Sequence, residues 1–329
     1  MRGVPSRTGA PGPFGALLQH VAAQLSILVV SWNTSAKTVA CLDSIGVGLR
    51  EAIPCETIVV ENGSTDGSAE ILARRSDIRL VANSDNRGFA AAVNQAYAIA
   101  RGDLILLLNS DIRCPPGALA TLVEFLDQHG DIAGVGPRYL NPDGSPQSHH
   151  YRLPTFGAVL ANSSATLRRL PPMRRRIRRY RMLDDDFSAA RPIEQPSASC
   201  LLLRRACLPS EHLMDERFPI YFNDVALARW LADRGNELWM TPDAAVYHDH
   251  GASTRLMGSA LTRQYLGAQV RYLLSTEPAY RVALFRVVIG GEYLARAVVR
   301  HPGAMPIRDL LAALGGDPGS LPRAHGRTE

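Results

Sequence analysis

The chain has 329 residues, of which 46% are hydrophobic and 20% charged, as is typical of folded globular proteins. No stretch approaches the roughly 18 apolar residues that cross a bilayer, and the five cysteines contain no Cys-x-x-Cys pair, so we expect no transmembrane helix, zinc site or disulfide framework. The net charge of +5 favours an anionic partner, but no recognisable nucleic-acid-binding motif is present, so nucleic acid is not expected.

The first half of the chain alternates between apolar strand-like segments and segments with helical spacing. Residues 1–24 have no sustained apolar stretch and are expected to form a flexible leader. After them, strands separated by helices predict an α/β fold with a mostly parallel sheet covered by helices on both faces. Strands are expected at 25–31, 57–62, 78–83, 103–111 and 132–137, with helices at 34–45, 63–75, 88–102 and 117–130.

The second half begins with a break in this regular pattern. Residues 150–195 are expected to be a surface excursion with an arginine-rich loop at 164–186, which is either simply solvated or in contact with an anionic lipid surface. The amphipathic stretch 256–300 is expected to be helical, either as a core-packed hairpin broken at Pro278 or as an interfacial element. Residues 301–329 are rich in proline and glycine and are expected to be a mobile tail.

Three of the predicted strands end in polar residues rather than in ordinary turns. Taken singly, each group is more often a turn or a helix cap than a binding site. Because the carboxyl ends of parallel strands meet at one edge of the sheet, where ligands bind, we expect the three groups to line a single pocket. The groups are Ser31-Trp32-Asn33, Glu61-Asn62 and Asn109-Ser110-Asp111.

Asp111 is the strongest candidate for a metal ligand. It follows an apolar strand, and alternate residues of a strand point the same way, so Asn109 and Asp111 are expected to face one side. Mg²⁺ is normally held by one or two carboxylates together with substrate phosphates. The sequence therefore predicts a divalent cation, Mg²⁺ or Mn²⁺, on a nucleotide-linked substrate.

Three further positions have both a structural and a functional interpretation. Asn86, Arg87 and Gly88 precede a helix, where they form either an ordinary N-cap or a site for a diphosphate. Asp224 either caps the helix that follows it or acts as a general base. His248, which precedes Asp249 and His250, is either an ordinary surface histidine or a metal ligand.

The order of the motifs is more specific than any one of them. Over about residues 25–255, the chain resembles the inverting family-2 glycosyltransferases, in particular the rhamnosyltransferase-like bacterial branch that acts in cell-wall and O-antigen assembly. The blocks that carry the resemblance are SILVVSWN, IVVENGSTDGS, NRGFAAAVNQA, LILLLNSD, SCLLLRRA, MDERFPIYFNDVALARWLADRG and VYHDHGAST.

This resemblance implies a GT-A fold, in which a Rossmann-like nucleotide-sugar half at 25–140 is fused to an acceptor-binding half at 141–255, with C-terminal helices beyond. It also implies that Asp224 is the catalytic base and that Asp111 and His248 hold the metal and the leaving diphosphate. The predicted donor-binding residues are Ser31, Trp32, Asn33, Glu61, Asn62, Asn86, Arg87, Gly88, Asn109 and Ser110.

The resemblance implies an inverting hexosyltransferase that moves a sugar, with rhamnose as the candidate, from a nucleoside-diphosphate donor to a glycan or polyprenol-diphosphate-linked acceptor in cell-envelope polysaccharide synthesis. The expected location is the cytoplasm, with peripheral contact with the inner face of the cell membrane. No oligomeric state is indicated.

Several positions depart from the family pattern. Glu61 stands where aspartate is usual, and Asn223 replaces the acid that normally precedes the base. Ala198-Ser199 and Met214 stand where glycine is common. The loss of the acid at position 223 leaves a non-catalytic nucleotide-sugar-binding homologue as the alternative, whereas the intact Asp111 and Asp224 favour an enzyme.

Overall fold

The computed structural model describes residues 25–50, 53–249, 258–298 and 305–317 together with residues 319 and 321. The predicted leader at 1–24 lies outside the described residues. So do His250 and the residues that follow it in the last motif of the family resemblance.

The centre of the described structure is a ten-stranded sheet in the order β3-β2-β1-β4-β11-β6-β12-β5, with β7 paired to β6 and β9 paired to β12. Strands β8 and β10 form a separate antiparallel pair. The strands are β1 Leu25–Ser31, β2 Cys55–Asn62, β3 Arg79–Asn83, β4 Leu104–Asn109, β5 Ile112–Arg113, β6 Gly134–Leu140, β7 Pro146–Gln147, β8 His150–Tyr151, β9 Arg191–Pro192, β10 Gln195–Pro196, β11 Cys200–Arg204 and β12 Leu238–His248.

Pairing in the sheet is mostly parallel, as predicted. Strands β1, β2, β3 and β4 are parallel to their neighbours within this group, and β6 is parallel to β12. Strand β11 is antiparallel to both β4 and β6 and lies between them. The register pairs Ser31 with Glu61 and Val30 with Asn109, so the polar strand ends meet at one edge.

Helices cover both faces of the sheet, which confirms the predicted layering. One face packs against Ile45 of α1 and Leu122 of α4, and the other against Val93 of α3 and Leu231 of α7. The helices are α1 Ser35–Gly48, α2 Ser68–Leu72, α3 Phe89–Ile99, α4 Ala118–Gln128, α5 Phe156–Ser163, α6 Pro171–Tyr180, α7 Asn223–Ala232, α8 Gly258–Thr276, α9 Ala279–Val298 and α10 Ile307–Leu314.

The C-terminal helices pack in a third apolar core together with the segment that leads into α7. Phe285 of α9 and Leu273 of α8 pack in this core with Phe222, which directly precedes α7. Helix α8 ends and α9 begins around Pro278, because a proline inside a helix would remove a backbone hydrogen bond. None of the described helices has the length and apolar character that crossing a membrane requires.

Two expectations about irregular segments are corrected. The arginine-rich segment 164–186 is not a loop throughout, because it contains α6. Proline is favoured in the first turn of a helix and arginine is a good helix former, but α6 buries no residue and so lacks the apolar periodicity that predicts a helix. The expected tail at 301–329 contains α10, which buries Leu310 and is tied to α8 by the Arg263–Asp309 ion pair of 2.8 Å.

The Tyr139 hydroxyl holds β6 to the segment that leads into β11. It donates towards the carbonyl oxygens of Ser197 and Cys200 at 3.2 and 3.0 Å and accepts from the backbone N–H of Cys200 at 2.9 Å. The side chain is 1% exposed, so water cannot replace these bonds.

We therefore expect Tyr139→Phe to lower the free energy of unfolding by about 1 to 3 kcal/mol, the usual cost of a buried polar group left without its partner. Urea unfolding followed by circular dichroism measures this change. Tyr280→Phe is the matched control, because Tyr280 is 68% exposed and its substitution should change stability by less than about 0.5 kcal/mol. Equal stability of the two variants would contradict the assigned role of Tyr139.

Candidate functional site

A cavity of about 390 Å³ opens at the carboxyl edge of the parallel strands. Asp111 and Asp224, which are more than a hundred positions apart in the sequence, both line it. Among the predicted site residues, those that line the cavity are Trp32, Asn62, Asn86, Gly88, Asn109, Ser110, Asp111, Asp224 and His248. The cavity lining does not include Ser31, Asn33, Glu61 or Arg87.

Asp111 and His248 face each other across the junction of β4, β5 and β12. His248 Nε2 lies 3.4 Å from Asp111 Oδ1, and Asp111 Oδ1 has no hydrogen-bond donor among the described residues. His248 is only 2% exposed, and Asp111 is also largely buried. A buried carboxylate oxygen without a donor is a feature that needs an explanation.

Gln147 and His149 both contact Nδ1 of His248, at 2.9 and 3.3 Å, and Gln147 favours the tautomer in which Nδ1 carries the proton. The Gln147 side-chain amide donates to Asn141 Oδ1 at 2.7 Å and to the His248 carbonyl at 3.2 Å, which fixes its orientation. Its Oε1 therefore points to His248 Nδ1 at 2.9 Å and can only accept. In the neutral ring, Nδ1 then carries the proton and Nε2 presents a lone pair towards Asp111.

Two acceptors that face each other fit a cation between them. A histidine whose second nitrogen is fixed by a hydrogen bond is the usual arrangement around a bound metal. No group of three or more His, Cys, Asp or Glu side chains in the described residues could hold a metal ion. The donor set therefore suits an ion that takes its remaining ligands from substrate phosphates and water, as Mg²⁺ does.

Asp224 lies in the first turn of α7, on the cavity wall. Phe222 precedes α7 in the left-handed conformation, with a φ of 68°, and turns the chain sharply into the helix. The backbone N–H of Val225 donates to Asp224 Oδ1 at 2.8 Å, and Gln195 Nε2 donates to Oδ2 at 3.1 Å. Burial raises the pKa of Asp224, and these hydrogen bonds only partly offset the rise.

Gln195 has a second polar atom that is not used by the protein. The residue is 3% exposed, and its Oε1 has no hydrogen-bond donor among the described residues. This oxygen, next to the Asp224 carboxylate, could accept a hydrogen bond from a hydroxyl group of a bound molecule.

Asn223 stands where the family resemblance implies an acid, and its amide group makes hydrogen bonds that an acid could not make. Asn223 Nδ2 donates to the carbonyl of Ile220 at 2.8 Å and towards that of Phe218 at 3.4 Å. An ionised carboxylate could not make these bonds, because it has no hydrogen to donate. The amide therefore stabilises the turn that carries Asp224.

Asn62 connects the end of β2 to the loop before α3. Its Nδ2 donates to Asn86 Oδ1 at 3.0 Å and to the Gly88 carbonyl at 3.3 Å. Its Oδ1 accepts from Asn83 Nδ2 at 3.0 Å and from the backbone N–H of Arg87 at 3.2 Å. Asn62 thus shapes this wall of the cavity, while the Arg87 side chain is exposed.

Helix α3 is fastened to the segment that precedes α7. The backbone N–H of Ala90 donates to the Pro219 carbonyl at 3.2 Å, so this group of the predicted anion site is already used. Asn94 exchanges two hydrogen bonds of 2.8 and 2.9 Å with the backbone of Met214. Gly88 has a φ of +87°, and a Cβ there would lie 2.9 Å from the Pro219 carbonyl oxygen.

Three predicted donor residues support neighbouring loops instead of lining the cavity. Ser31 shares a hydrogen bond of 2.8 Å with Thr38 of α1. The backbone N–H of Asn33 donates to Ser64 Oγ at 2.9 Å, and Glu61 Oε1 accepts from the backbone N–H of Ser64 at 2.8 Å. Direct contact of these residues with a donor stays a prediction.

The remaining predicted residues contribute polar atoms to the cavity wall. Asn109 Nδ2 donates to Ser199 Oγ at 3.1 Å, and the hydroxyl groups of Ser110 and Thr34 lie 3.1 Å apart. The Trp32 indole N–H is buried and has no acceptor among the described residues.

Several functional candidates were not recognisable from the sequence. Gln147 lies in the two-residue strand β7, and the others lie in the irregular segment 150–195 or in α8. They reach the cavity through long-range packing, for which no local motif exists. The cavity-lining residues in this group are Tyr151, Asn162, Tyr180, Arg181, Gln195 and Tyr265.

Comparisons with known sequences agree with this architecture. The model of the glycosyl transferase family 2 matches residues 26–198, which is more than half of the chain. An N-acetylglucosaminyl-diphospho-decaprenol L-rhamnosyltransferase of Mycobacterium tuberculosis is 26% identical over 242 residues, or 70% of this chain and 77% of the relative. An undecaprenyl-phosphate 4-deoxy-4-formamido-L-arabinose transferase of Edwardsiella ictaluri is 36% identical over 104 residues, or 30% of each chain.

Comparisons with solved structures support the same fold. The Pyrobaculum calidifontis mannosyltransferase PcManGT, in complex with GDP-Man and Mn²⁺, superposes with a TM-score of 0.51 at 19% identity, covering 88% of this chain and 79% of that one. GalNAc-T7 with UDP, GalNAc and Mn²⁺ also gives 0.51, at 14% identity, covering 69% of this chain and 44% of that one. The chain therefore belongs to glycosyl transferase family 2, has the GT-A fold and is a family-2 glycosyltransferase.

Proposed function

We propose that this glycosyltransferase moves a sugar, with rhamnose as the candidate, from a nucleoside-diphosphate donor to a hydroxyl group of a polyprenol-diphosphate-linked acceptor, with inversion at the anomeric carbon. The observation that carries the proposal is the convergence of Asp111 and Asp224 in one cavity, where the two carboxylates have different partners. Asp111 faces His248, and Asp224 accepts a hydrogen bond from Gln195.

The donor side of the cavity suits a nucleoside diphosphate. Trp32 offers a buried N–H that has no acceptor among the described residues, and Asn86 and Gly88 line the same cavity. When bound between Asp111 and His248, Mg²⁺ or Mn²⁺ would offset the charge that develops on the departing diphosphate. Because Gln147 holds the lone pair of His248 Nε2 towards Asp111, the protein side of this metal site is arranged in advance.

Asp224 is the group that can remove the proton of the acceptor hydroxyl. A general base works best when its pKa approaches the working pH, and burial moves the pKa of Asp224 in that direction. The hydroxyl oxygen then attacks the anomeric carbon as the bond to the diphosphate breaks on the opposite side. A single in-line displacement of this kind inverts the configuration.

The donor sugar and acceptor class are supported by the relative from Mycobacterium tuberculosis, which is an L-rhamnosyltransferase that acts on an N-acetylglucosaminyl-diphospho-decaprenol. The match, at 26% identity, extends over 70% of this chain, so it includes the half of the fold that carries Asp111 and the half that carries Asp224. The same chemistry would place this enzyme in the synthesis of cell-envelope polysaccharide.

We expect Asp224→Asn to lower kcat for transfer by about 10² to 10⁴-fold while donor binding persists, because the substitution removes the base and keeps the shape. Release of nucleoside diphosphate in the presence of acceptor measures the effect. Asp233→Asn is the matched control, since Asp233 is exposed at the end of the same helix. A fully active Asp224→Asn enzyme would refute the assignment.

Asp224→Asn should also be more stable than the wild type near neutral pH. Because burial raises the folded-state pKa of Asp224 above its unfolded value of about 3.9, ionisation costs more in the folded protein. This cost is absent below about pH 4 and grows as the pH rises through the folded pKa. Urea unfolding as a function of pH should show the difference growing in that direction, and the reverse trend would exclude a raised pKa.

We expect EDTA to abolish transfer and added Mn²⁺ or Mg²⁺ to restore it. Gln147→Ala should weaken metal binding by about 10 to 100-fold, because His248 loses the hydrogen bond that fixes its proton. Electron paramagnetic resonance of Mn²⁺ with nucleoside diphosphate present measures this affinity. Gln128→Ala, at the exposed end of α4, is the control. Transfer that is unaffected by chelation would disprove the metal site.

Peripheral contact with the inner face of the cell membrane forms part of the proposal. Helix α6 is cationic and buries no residue, and α9 carries an exposed apolar stripe that includes Val287 and Val298, which are 72% and 82% exposed. Glu292 of α9 accepts hydrogen bonds from the backbone N–H groups of Ala165 and Thr166, so α9 is joined to the segment that precedes α6. The combination of basic and apolar surface suits anionic lipid.

The protein should therefore co-sediment with phosphatidylglycerol-containing vesicles and less with pure phosphatidylcholine. High salt should weaken the binding, because it screens the arginines. Val287→Asp should reduce binding, whereas Ile71→Asp, an exposed position on α2, should not. Equal sedimentation with both kinds of vesicle would remove membrane contact from the proposal.

A further inference from the structure

The cavity contains one guanidinium group whose role is not explained by the donor, the metal or the base. Arg181, which directly follows α6, is the only lysine or arginine lining the cavity in the described part of the chain. Two arginines near it are paired with carboxylates, namely Arg152 with Asp185 at 3.0 Å and Arg178 with Asp184. No ion pair of Arg181 is found among the described residues, and its exposed side chain lines the cavity.

Contacts place Arg181 on the side of the cavity that carries Asp224. Arg181 Nη2 donates to Asn162 Oδ1 at 2.8 Å, and Asn162 Nδ2 donates to the Tyr265 hydroxyl at 3.1 Å. The Tyr265 ring packs against Tyr221, with 5.2 Å between ring centroids. Tyr221 lies three residues before the proposed base, so a chain of contacts joins the guanidinium to the start of α7.

A second route leads from Arg181 to the same carboxylate. The Tyr180 and Tyr151 rings lie 5.5 Å apart, and Tyr151 is paired with Gln195, which donates to Asp224. Burial raises the pKa of Tyr151, Asp224 adds to this rise, and Arg181 opposes it, so both charges are within electrostatic reach of one phenol. The same two opposing influences act on the pKa of Tyr180, which burial also raises.

We propose that Arg181 binds the phosphate groups that join the acceptor sugar to its lipid, while Asp224 faces the hydroxyl of that sugar. The inference rests on the proposed function and adds the position of the anionic part of the acceptor. The arginine fork matches two phosphate oxygens, and the bond to Asn162 holds it in place while leaving other N–H groups for the ligand. The lipid would leave along α6, whose exposed Arg174 and Arg175 continue the basic surface.

Two other phosphate sources share this chemistry, namely the donor diphosphate and lipid headgroups. The test therefore uses two soluble acceptors with the same sugar and no vesicles. One is N-acetylglucosamine linked through a diphosphate to a ten-carbon prenyl chain, and the other is decyl N-acetylglucosaminide, which has no phosphate. Binding is measured by calorimetry without donor and with excess EDTA, so that a metal ion cannot hold the diphosphate.

We expect Arg181→Gln to weaken binding of the diphosphate-linked acceptor by at least about tenfold, as loss of a charge-assisted hydrogen bond does. Binding of the decyl glycoside should change by less than about twofold, Arg181→Lys should be intermediate, and Arg179→Gln, an exposed control on α6, should match the wild type. In transfer assays the acceptor KM should rise for Arg181→Gln, with the donor KM unchanged.

The outcomes separate the inference from the proposed function. Wild-type affinity of Arg181→Gln for the diphosphate-linked acceptor would overturn the inference, and so would a rise in the donor KM with no change in the acceptor KM. Arg181-dependent binding without any sugar transfer would support the inference and refute the proposed function instead.

Discussion

The direction of β11 is the constraint on which the whole site depends. In a parallel sheet the carboxyl ends of the strands form the ligand-binding edge. Because β11 runs antiparallel between β4 and β6, its amino end lies at that same edge, next to Leu108 of β4. The residues that lead into β11, including Gln195, are thereby delivered to the polar ends of β1, β2 and β4, and the Tyr139 hydroxyl holds them there.

Under the proposed function, the two cavity aspartates take different roles because their surroundings differ. Asp111 sits at the end of a strand opposite an imidazole nitrogen whose lone pair is directed at it by Gln147, which favours a cation. Asp224 lies in the first turn of α7, and burial raises its pKa, which favours proton transfer. The proposed roles differ through electrostatics, whereas Asn223 stabilises the turn before Asp224.

The sequence predicted the parts of the fold that depend on local pattern. The apolar strands and amphipathic helices of the first half, the convergence of strand ends and the family were all correctly expected, because periodicity and motif order encode them. Helix α6 was missed because it buries no apolar face, and α10 because its neighbours are rich in proline and glycine. Gln147 and Gln195 could not be predicted, since each acquires its role only through a partner about 30 or more residues away.

The close approach of Gly88 to Pro219 joins the two sides of the cavity mechanically. The loop that would cradle the donor and the turn that carries Asp224 touch where a methyl group would not fit, and the Ala90 and Asn94 hydrogen bonds fasten the same contact. Through these contacts a shift of α3 would move the start of α7. Under the proposed function, donor binding on one side of the cavity would therefore influence the alignment of the Asp224 carboxylate on the other.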